Sequence, residues 1–282
     1  MPALYLVATP IGNLEDITFR ALRILRDEVD LIACEDTRQT QKLLQHYEIR
    51  KPLVSYHEHN EAARTAEILA ALARGQSVAL VSDAGTPLIS DPGYRAVTAA
   101  IEHGFAVIPI PGASAVLAAL AASGLPSDDF RFIGFVPSKT AARRKALAQL
   151  ADETSTVLAY ESPHRILDTL ADIAELLGGR RIVLARELTK IHEEFLRGTA
   201  QSIREQLAQR AAVKGEITLV IARSEKTIPI ADPLAEVQRL EHHGLDRMEA
   251  IKTVAKQMGL PKRELYRLVM ERGSNPPGTQ AD

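Results

Sequence analysis

Val78-Ala79-Leu80-Val81-Ser82-Asp83-Ala84-Gly85-Thr86-Pro87-Leu88-Ile89-Ser90-Asp91-Pro92-Gly93 is the stretch on which the fold turns. Its apolar first part predicts a strand over Val78–Ser82. The residues that follow gather Asp83, Gly85, Pro87, Pro92 and Gly93, which describes a backbone that turns sharply and lets something approach it. Asp91-Pro92 then reads as a helix start, a capping side chain before a proline suited to the first turn. Strand, turn-rich loop and helix together form half of an α/β unit.

The same pattern recurs on both sides. Further strands are expected at Leu4–Ala8, Val29–Cys34, Leu53–Tyr56, Phe105–Ile110, Phe132–Phe135, Thr156–Tyr160, Arg181–Ala185 and Ile217–Ala222. Helical spacing fills the intervals, for example Ile68, Leu69 and Leu72, and Ser162-Pro163 marks a second helix start. Strands alternating with helices argue an α/β architecture with largely parallel sheets. Gly and Pro punctuate the chain between 112 and 130, and Pro229 and Pro233 do so again after the last strand. The expected organisation is therefore an α/β domain over 1–115, a second over 116–225, an all-helical module over 233–272 and a disordered tail over 273–282.

Composition narrows the class. Among 282 residues, 34 Lys+Arg face 36 Asp+Glu, a net charge of −2, and 46% are hydrophobic, which excludes wholesale disorder. No apolar run approaches the ~20 residues of a membrane span, and no secretory leader is expected from the N-terminal residues. A lone cysteine, Cys34, forms neither an internal disulfide nor a cysteine zinc site, which places the chain in the cytoplasm. Six Phe, six Tyr and no Trp argue against an RNA-recognition fold built on base stacking. Nucleic acid remains open as a partner if the basic surface is local.

Four loops follow apolar strands, where open α/β sheets bind ligands. They are Thr9-Pro10-Ile11-Gly12-Asn13, Ser82–Gly93, Pro111-Gly112-Ala113-Ser114-Ala115 and Tyr160-Glu161-Ser162-Pro163-His164-Arg165. The first lacks the dinucleotide spacing G-x-G-x-x-G. Each alone also reads as an ordinary turn; four in one chain read as a site.

In order along residues 4–223, VATPIGNLEDIT, ACEDTR, VSDAGTPLISDPG, PIPGASA, GFVPSK, YESPHR and LARELTK resemble the ribosomal RNA small-subunit methyltransferase I family of the tetrapyrrole-methylase superfamily. The resemblance implies two α/β domains with a cleft for S-adenosyl-L-methionine between them. It also implies 2′-O-methylation of a cytidine ribose near the decoding region of 16S ribosomal RNA, no metal, and a homodimer. Cofactor contacts are implied at Pro10, Ser82, Asp83, Ala84, Gly85, Thr86, Leu88, Ile89, Ser114, Ala115, Tyr160, Glu161, Gly215 and Glu216. Pro10 stands where the superfamily's first loop is often glycine, which suits the RNA-modifying branch. Rival readings are a methylase of a tetrapyrrole or of a modified protein histidine, and a non-catalytic RNA-binding assembly protein.

Transfer to a ribose hydroxyl needs a proton acceptor or a cation that stabilises the alkoxide. Glu35, Asp36, Arg38, His57, Glu58 and Lys190 are candidates, and the sequence does not choose among them. For RNA phosphates, the basic run Lys139, Arg143, Arg144 and Lys145 is expected to act with Arg165. In the C-terminal module, Ala255, Gly259, Leu265 and Leu268 have helix-turn-helix spacing beside Lys262, Arg263 and Arg267. A helical hairpin used for packing or dimerisation is the alternative reading of that spacing.

Overall fold

Alternating apolar residues build the frame. In the computed structural model, which describes residues 1–224, 232–258 and 260–273, the chain forms two compact units divided at Arg223/Ser224. The first unit holds two five-stranded sheets. Sheet one comprises β1 (Ala3–Val7), β2 (Leu31–Cys34), β3 (Leu53–Ser55), β4 (Val78–Val81) and β5 (Ala106–Ile110), in the order β3-β2-β4-β1-β5. All its pairings are parallel. The connecting helices are α1 (Phe19–Arg23), α2 (Thr37–His46), α3 (Glu61–Ala73) and α4 (Tyr94–Glu102). Strand period sorts its core: Ala3, Tyr5 and Val7 pack on one face, and Leu4 with Leu80 and Tyr56 on the other.

The next helix, α5 (Ala115–Ser123), packs on the second sheet. That sheet contains β6 (Phe130–Phe135), β7 (Thr156–Glu161), β8 (Arg181–Arg186), β9 (Glu194–Thr199) and β10 (Ile217–Ile221), in the order β6-β7-β10-β8-β9. Only β6 and β7 are parallel; β10 runs antiparallel between β7 and β8, and β9 antiparallel to β8. The expectation of largely parallel sheets holds for the first sheet and fails for the second. Helices α6 (Thr140–Ala148), α7 (Ile166–Leu177) and α8 (Ala200–Ala208) cover this sheet. Ile217, Leu219 and Ile221 face that layer, whereas Val220 faces α5 and shares a core cluster with Ile11 of the first loop.

Sequence reading misses β9, an edge strand whose Glu194, Arg197 and Gly198 dilute its apolar alternation. Both proline-marked helix starts also shift. Gly93, at φ 142°, precedes Tyr94 as the start of α4, so Asp91 caps nothing. Likewise α7 begins at Ile166, and the Ser162 hydroxyl accepts the His164 N–H (3.3 Å) in the turn before it.

The second unit consists of α9 (Pro233–His242), α10 (Arg247–Met258) and α11 (Lys262–Gly273). Asp232 caps α9 ahead of Pro233. Val237, Ile251, Val254, Ala255, Leu265 and Val269 form its core. Leu268 is exposed instead of Val269, a correction to the expected apolar face. Gly259, the 225–231 linker and the 274–282 tail lie outside the described residues. No helix among the described residues is long and apolar enough to cross a membrane.

Candidate functional site

Strands β4, β1 and β5 are neighbours, so the three loops leaving their carboxyl ends meet. Thr9 and Gly85 pair as a two-bond bridge (2.9 and 3.0 Å), the Ser82 hydroxyl donates to Gly85 O (2.9 Å), and the Thr86 hydroxyl to Ala113 O (3.3 Å). The opposite wall comes from the second sheet. Because β10 is antiparallel, Ile217 lies beside Glu161 of β7 and Arg186 of β8. The start of one strand therefore sits with the ends of two others, which brings Gly215-Glu216 beside Tyr160-Glu161.

Between these walls is a cavity of about 360 Å3. Asp83, Ala84, Gly85, Thr86, Ile89, Ser114, Ala115, Tyr160, Glu161, Gly215 and Glu216 all line it. Pro10, Ser82 and Leu88 do not. Pro10 and Ser82 are buried behind the bridge, and Leu88 packs towards Gly93. Glu161 presents its backbone, since its carboxylate is buried and accepts from Ser162 N–H (2.6 Å), Arg165 (2.7 Å) and the Thr169 hydroxyl. Sequence reasoning missed Asp91, Phe135 and Leu188 as lining residues. Asp91 reads as a helix cap until Gly93 is seen to start α4.

Below the cavity, Lys190 Nζ donates to Glu187 Oε1 and Glu216 Oε2, each at 2.8 Å. Glu187 Oε1 also accepts the Glu216 N–H (3.0 Å). Asn13 N–H reaches the Thr189 hydroxyl (3.1 Å), and any side chain at Gly12 would enter Lys190. The two sheets are thus clasped at the site, with Glu187 and Thr189 both in the left-handed region (φ 53° and 65°). Burial alone would lower the Lys190 pKa, but Glu187 and Glu216 raise it overall. A lysine held charged in this way is a clasp and a poor proton acceptor.

The other catalytic candidates also lie off the cavity wall. Arg38 holds Asp36 at about 2, too acidic for a base at neutral pH. His57 is tied to Asn60, whose amide nitrogen lies 3.0 Å from Nε2. Glu58 is exposed; Glu35 is pushed upward by burial and by Asp83.

The basic run divides. Arg143 is buried and bonded through Nε to Asp172 Oδ2 (2.6 Å), so it is a core ion pair and not a phosphate contact. Arg144 bridges Asp172 and Glu175, and Arg165 serves Glu161. Lys139 and Lys145 remain exposed, as do Lys262, Arg263 and Arg267 in the helical unit.

The donor set fits an amino-acid-bearing sulfonium. Asp83 suits an ammonium, and the N–H groups of Ala115 and Val116 in the first turn of α5, where the Ser114 hydroxyl caps the Leu117 N–H (3.4 Å), suit a carboxylate. Apolar Ile11 and Leu188, with the Tyr160 ring, suit the uncharged remainder. Among the described residues no group of His, Cys, Asp or Glu is arranged to hold a metal ion.

The sequence model of the Tetrapyrrole (Corrin/Porphyrin) Methylases matches residues 3–204. Ribosomal RNA small subunit methyltransferase I of Halalkalibacterium halodurans is 52% identical over 272 residues, covering 94% of this chain and 93% of that one. The protein of the same name from Synechocystis is 49% identical, with 96% and 98% covered. Among solved structures, uroporphyrin-III C-methyltransferase from Thermus thermophilus, complexed with S-adenosyl homocysteine, superposes with a TM-score of 0.52 at 18% identity, covering 77% of this chain and 96% of that one.

Proposed function

The chain belongs to the tetrapyrrole methylases and, within them, to the ribosomal RNA small-subunit methyltransferase I family, and from that premise we propose that it methylates the 2′-hydroxyl of a cytidine ribose in 16S ribosomal RNA near the decoding region. S-adenosyl-L-methionine is the cofactor; when bound it supplies an electrophilic methyl group. The observation that carries the reading is the cavity assembled from both sheets, in a chain similar along nearly its whole length to proteins named for ribosomal RNA methylation. Asp83 and the α5 N-terminus orient the amino-acid end, and the clasp at Lys190 holds the two walls in register. Phe135 and Ile89 remain partly exposed at the cavity and offer an apolar surface to a splayed nucleobase.

Direct mapping tells the substrate apart from the rivals. Comparing 2′-O-methylation of 16S ribosomal RNA at nucleotide resolution, from cells with and without this protein, should show one cytidine mark lost. Intact marking in its absence would defeat the reading. Purified protein with labelled cofactor should label RNA and not a porphyrinoid. We further propose that it works in the cytoplasm as a homodimer, which light scattering tests.

Lys139 and Lys145 reach phosphates in this reading, with Lys262, Arg263 and Arg267 as a second contact. Lys139→Ala with Lys145→Ala should weaken RNA binding and flatten its logarithmic salt slope by about 1 to 2, as one or two fewer counterions are released. Cofactor affinity should stay unchanged in calorimetry. An unaltered slope would make these lysines ordinary solvated charges.

A further inference from the structure

We propose that Asp91 receives the proton of the substrate hydroxyl during methyl transfer, an inference that rests on the ribose 2′-O reading above. Four carboxylates line the cavity: Asp83, Asp91, Glu161 and Glu216. Three are committed elsewhere. Glu161 is saturated by Ser162, Arg165 and Thr169, Glu216 binds Lys190, and Asp83, assigned above to the cofactor's ammonium, also accepts the Asp36 N–H through Oδ1 at 3.0 Å. Asp91 has no cationic partner among the described residues. The groups facing it are Ser82 and Asp83 beyond β4, Glu35 beyond β2, and Tyr160 on β7.

The backbone is arranged to put it there. Leu88 and Ser90 both adopt left-handed conformations (φ 71° and 69°) in the loop leading to it, and Gly93 (φ 142°) ends that loop. A Cβ at Gly93 would stand 2.8 Å from the Leu80 side chain, so the turn is pressed against β4. The Gly93 N–H donates to Glu61 Oε1 (3.3 Å), which also takes the Tyr56 hydroxyl (3.0 Å) from the end of β3. Non-glycine residues kept in such conformations mark places where surrounding structure overrides local preference. The outcome is a carboxyl withdrawn from the cap of α4 and set on the cavity wall, which Ile89 and Phe135 also line.

Its chemistry suits the task. Burial, with Glu35 and Asp83 nearby, pushes the Asp91 carboxyl up to about 6. It is therefore ionised at neutral pH and more basic than an ordinary aspartate. As the methyl group is transferred, a lone pair of the ribose oxygen forms the new O–C bond. The S–C bond breaks with its electron pair left on sulfur, and the hydroxyl proton passes to an Asp91 oxygen and then to water.

Asp91→Asn tests this, with Asp91→Glu as a partial-rescue control. Single-turnover 2′-O-methylation should fall about 100- to 10,000-fold in the Asn variant, the range lost with a positioned base. S-adenosyl-L-methionine should bind it with unchanged affinity in calorimetry. A second readout needs no turnover. The raised carboxyl stabilises the fold below its unfolded pKa, and that contribution fades as pH rises through about 6. The melting-temperature difference between wild type and Asp91→Asn should therefore change from about pH 4 through about 6 and be constant above about pH 7. The ascending limb of the wild-type rate profile should follow the same titration. Retention of the rate within about tenfold, or loss of cofactor affinity in step with it, would overturn the proposal. If wild type makes no 2′-O-methyl mark, the ribose reading fails as well; if the mark forms and Asp91→Asn keeps its rate, this inference alone fails.

Discussion

Arg143→Ala is expected to destabilise the first unit by about 3 kcal/mol and to lower its melting temperature by roughly 6–12 °C. The Arg143 side chain is 5% exposed and that of Asp172 is 9%, with their charged atoms 2.6 Å apart. Desolvation alone would raise the Asp172 pKa, but hydrogen bonds from Arg143 and Arg144 hold it below the usual carboxylate range. Removing Arg143 leaves a buried carboxylate supported only from its Arg144 side (2.7 Å), which keeps the loss at the lower end for a broken buried pair. Lys145→Ala, two residues on and exposed, should change stability by less than about 0.5 kcal/mol. Replacing both partners, Arg143→Met with Asp172→Leu, should restore most of the loss because no charge is then stranded. Thermal unfolding of the three proteins decides it. A negligible effect of Arg143→Ala would return this arginine to the surface.

That division of one basic run shows where reading the chain succeeds and where it stops. A helix was expected between the strands at Phe132–Phe135 and Thr156–Tyr160, but the run Arg143-Arg144-Lys145 looks uniform in one dimension. What turns Arg143 inward is Asp172, 29 residues away on α7. Strand positions were legible because buried parallel strands read as apolar runs, and Gly- and Pro-rich loops after them pointed to the first wall of the cavity. In the second wall the Tyr160–Arg165 loop was legible in the same way, whereas Gly215-Glu216 was legible only through resemblance. Gly215-Glu216 precedes its strand, and nothing local announces that β10 inserts antiparallel between β7 and β8. β9 escaped because an edge strand tolerates charge and glycine. Asp91 escaped for a different reason: Asp-Pro is a strong helix-start signal, and tertiary packing at Gly93 overrode it.

Gly85→Val should abolish measurable cofactor binding, a loss of at least about 100-fold, which is a change near 2.7 kcal/mol. Gly85 has φ 88°, a conformation in which a β-branched residue is a true outlier. Its backbone is used on both sides: N–H and O form the bridge to Thr9, and O also accepts from Ser82. The new side chain would project towards Ile11 (3.3 Å to Cγ2) and Ala113 O (3.7 Å), the first and third loops of the same wall. The substitution therefore displaces three loops at once, where Asp83→Ala removes only one carboxylate and should weaken binding far less. Gly85→Ala separates strain from bulk: it keeps the left-handed penalty of roughly 1–2 kcal/mol but adds only a Cβ that Ile11 can yield to. Binding should then be weakened and still measurable. Calorimetry with S-adenosyl-L-methionine, beside thermal unfolding to show that the sheets persist, is the measurement. Wild-type affinity in Gly85→Val would mean that the cofactor lies elsewhere, and the cavity between the sheets would lose its claim to be the site.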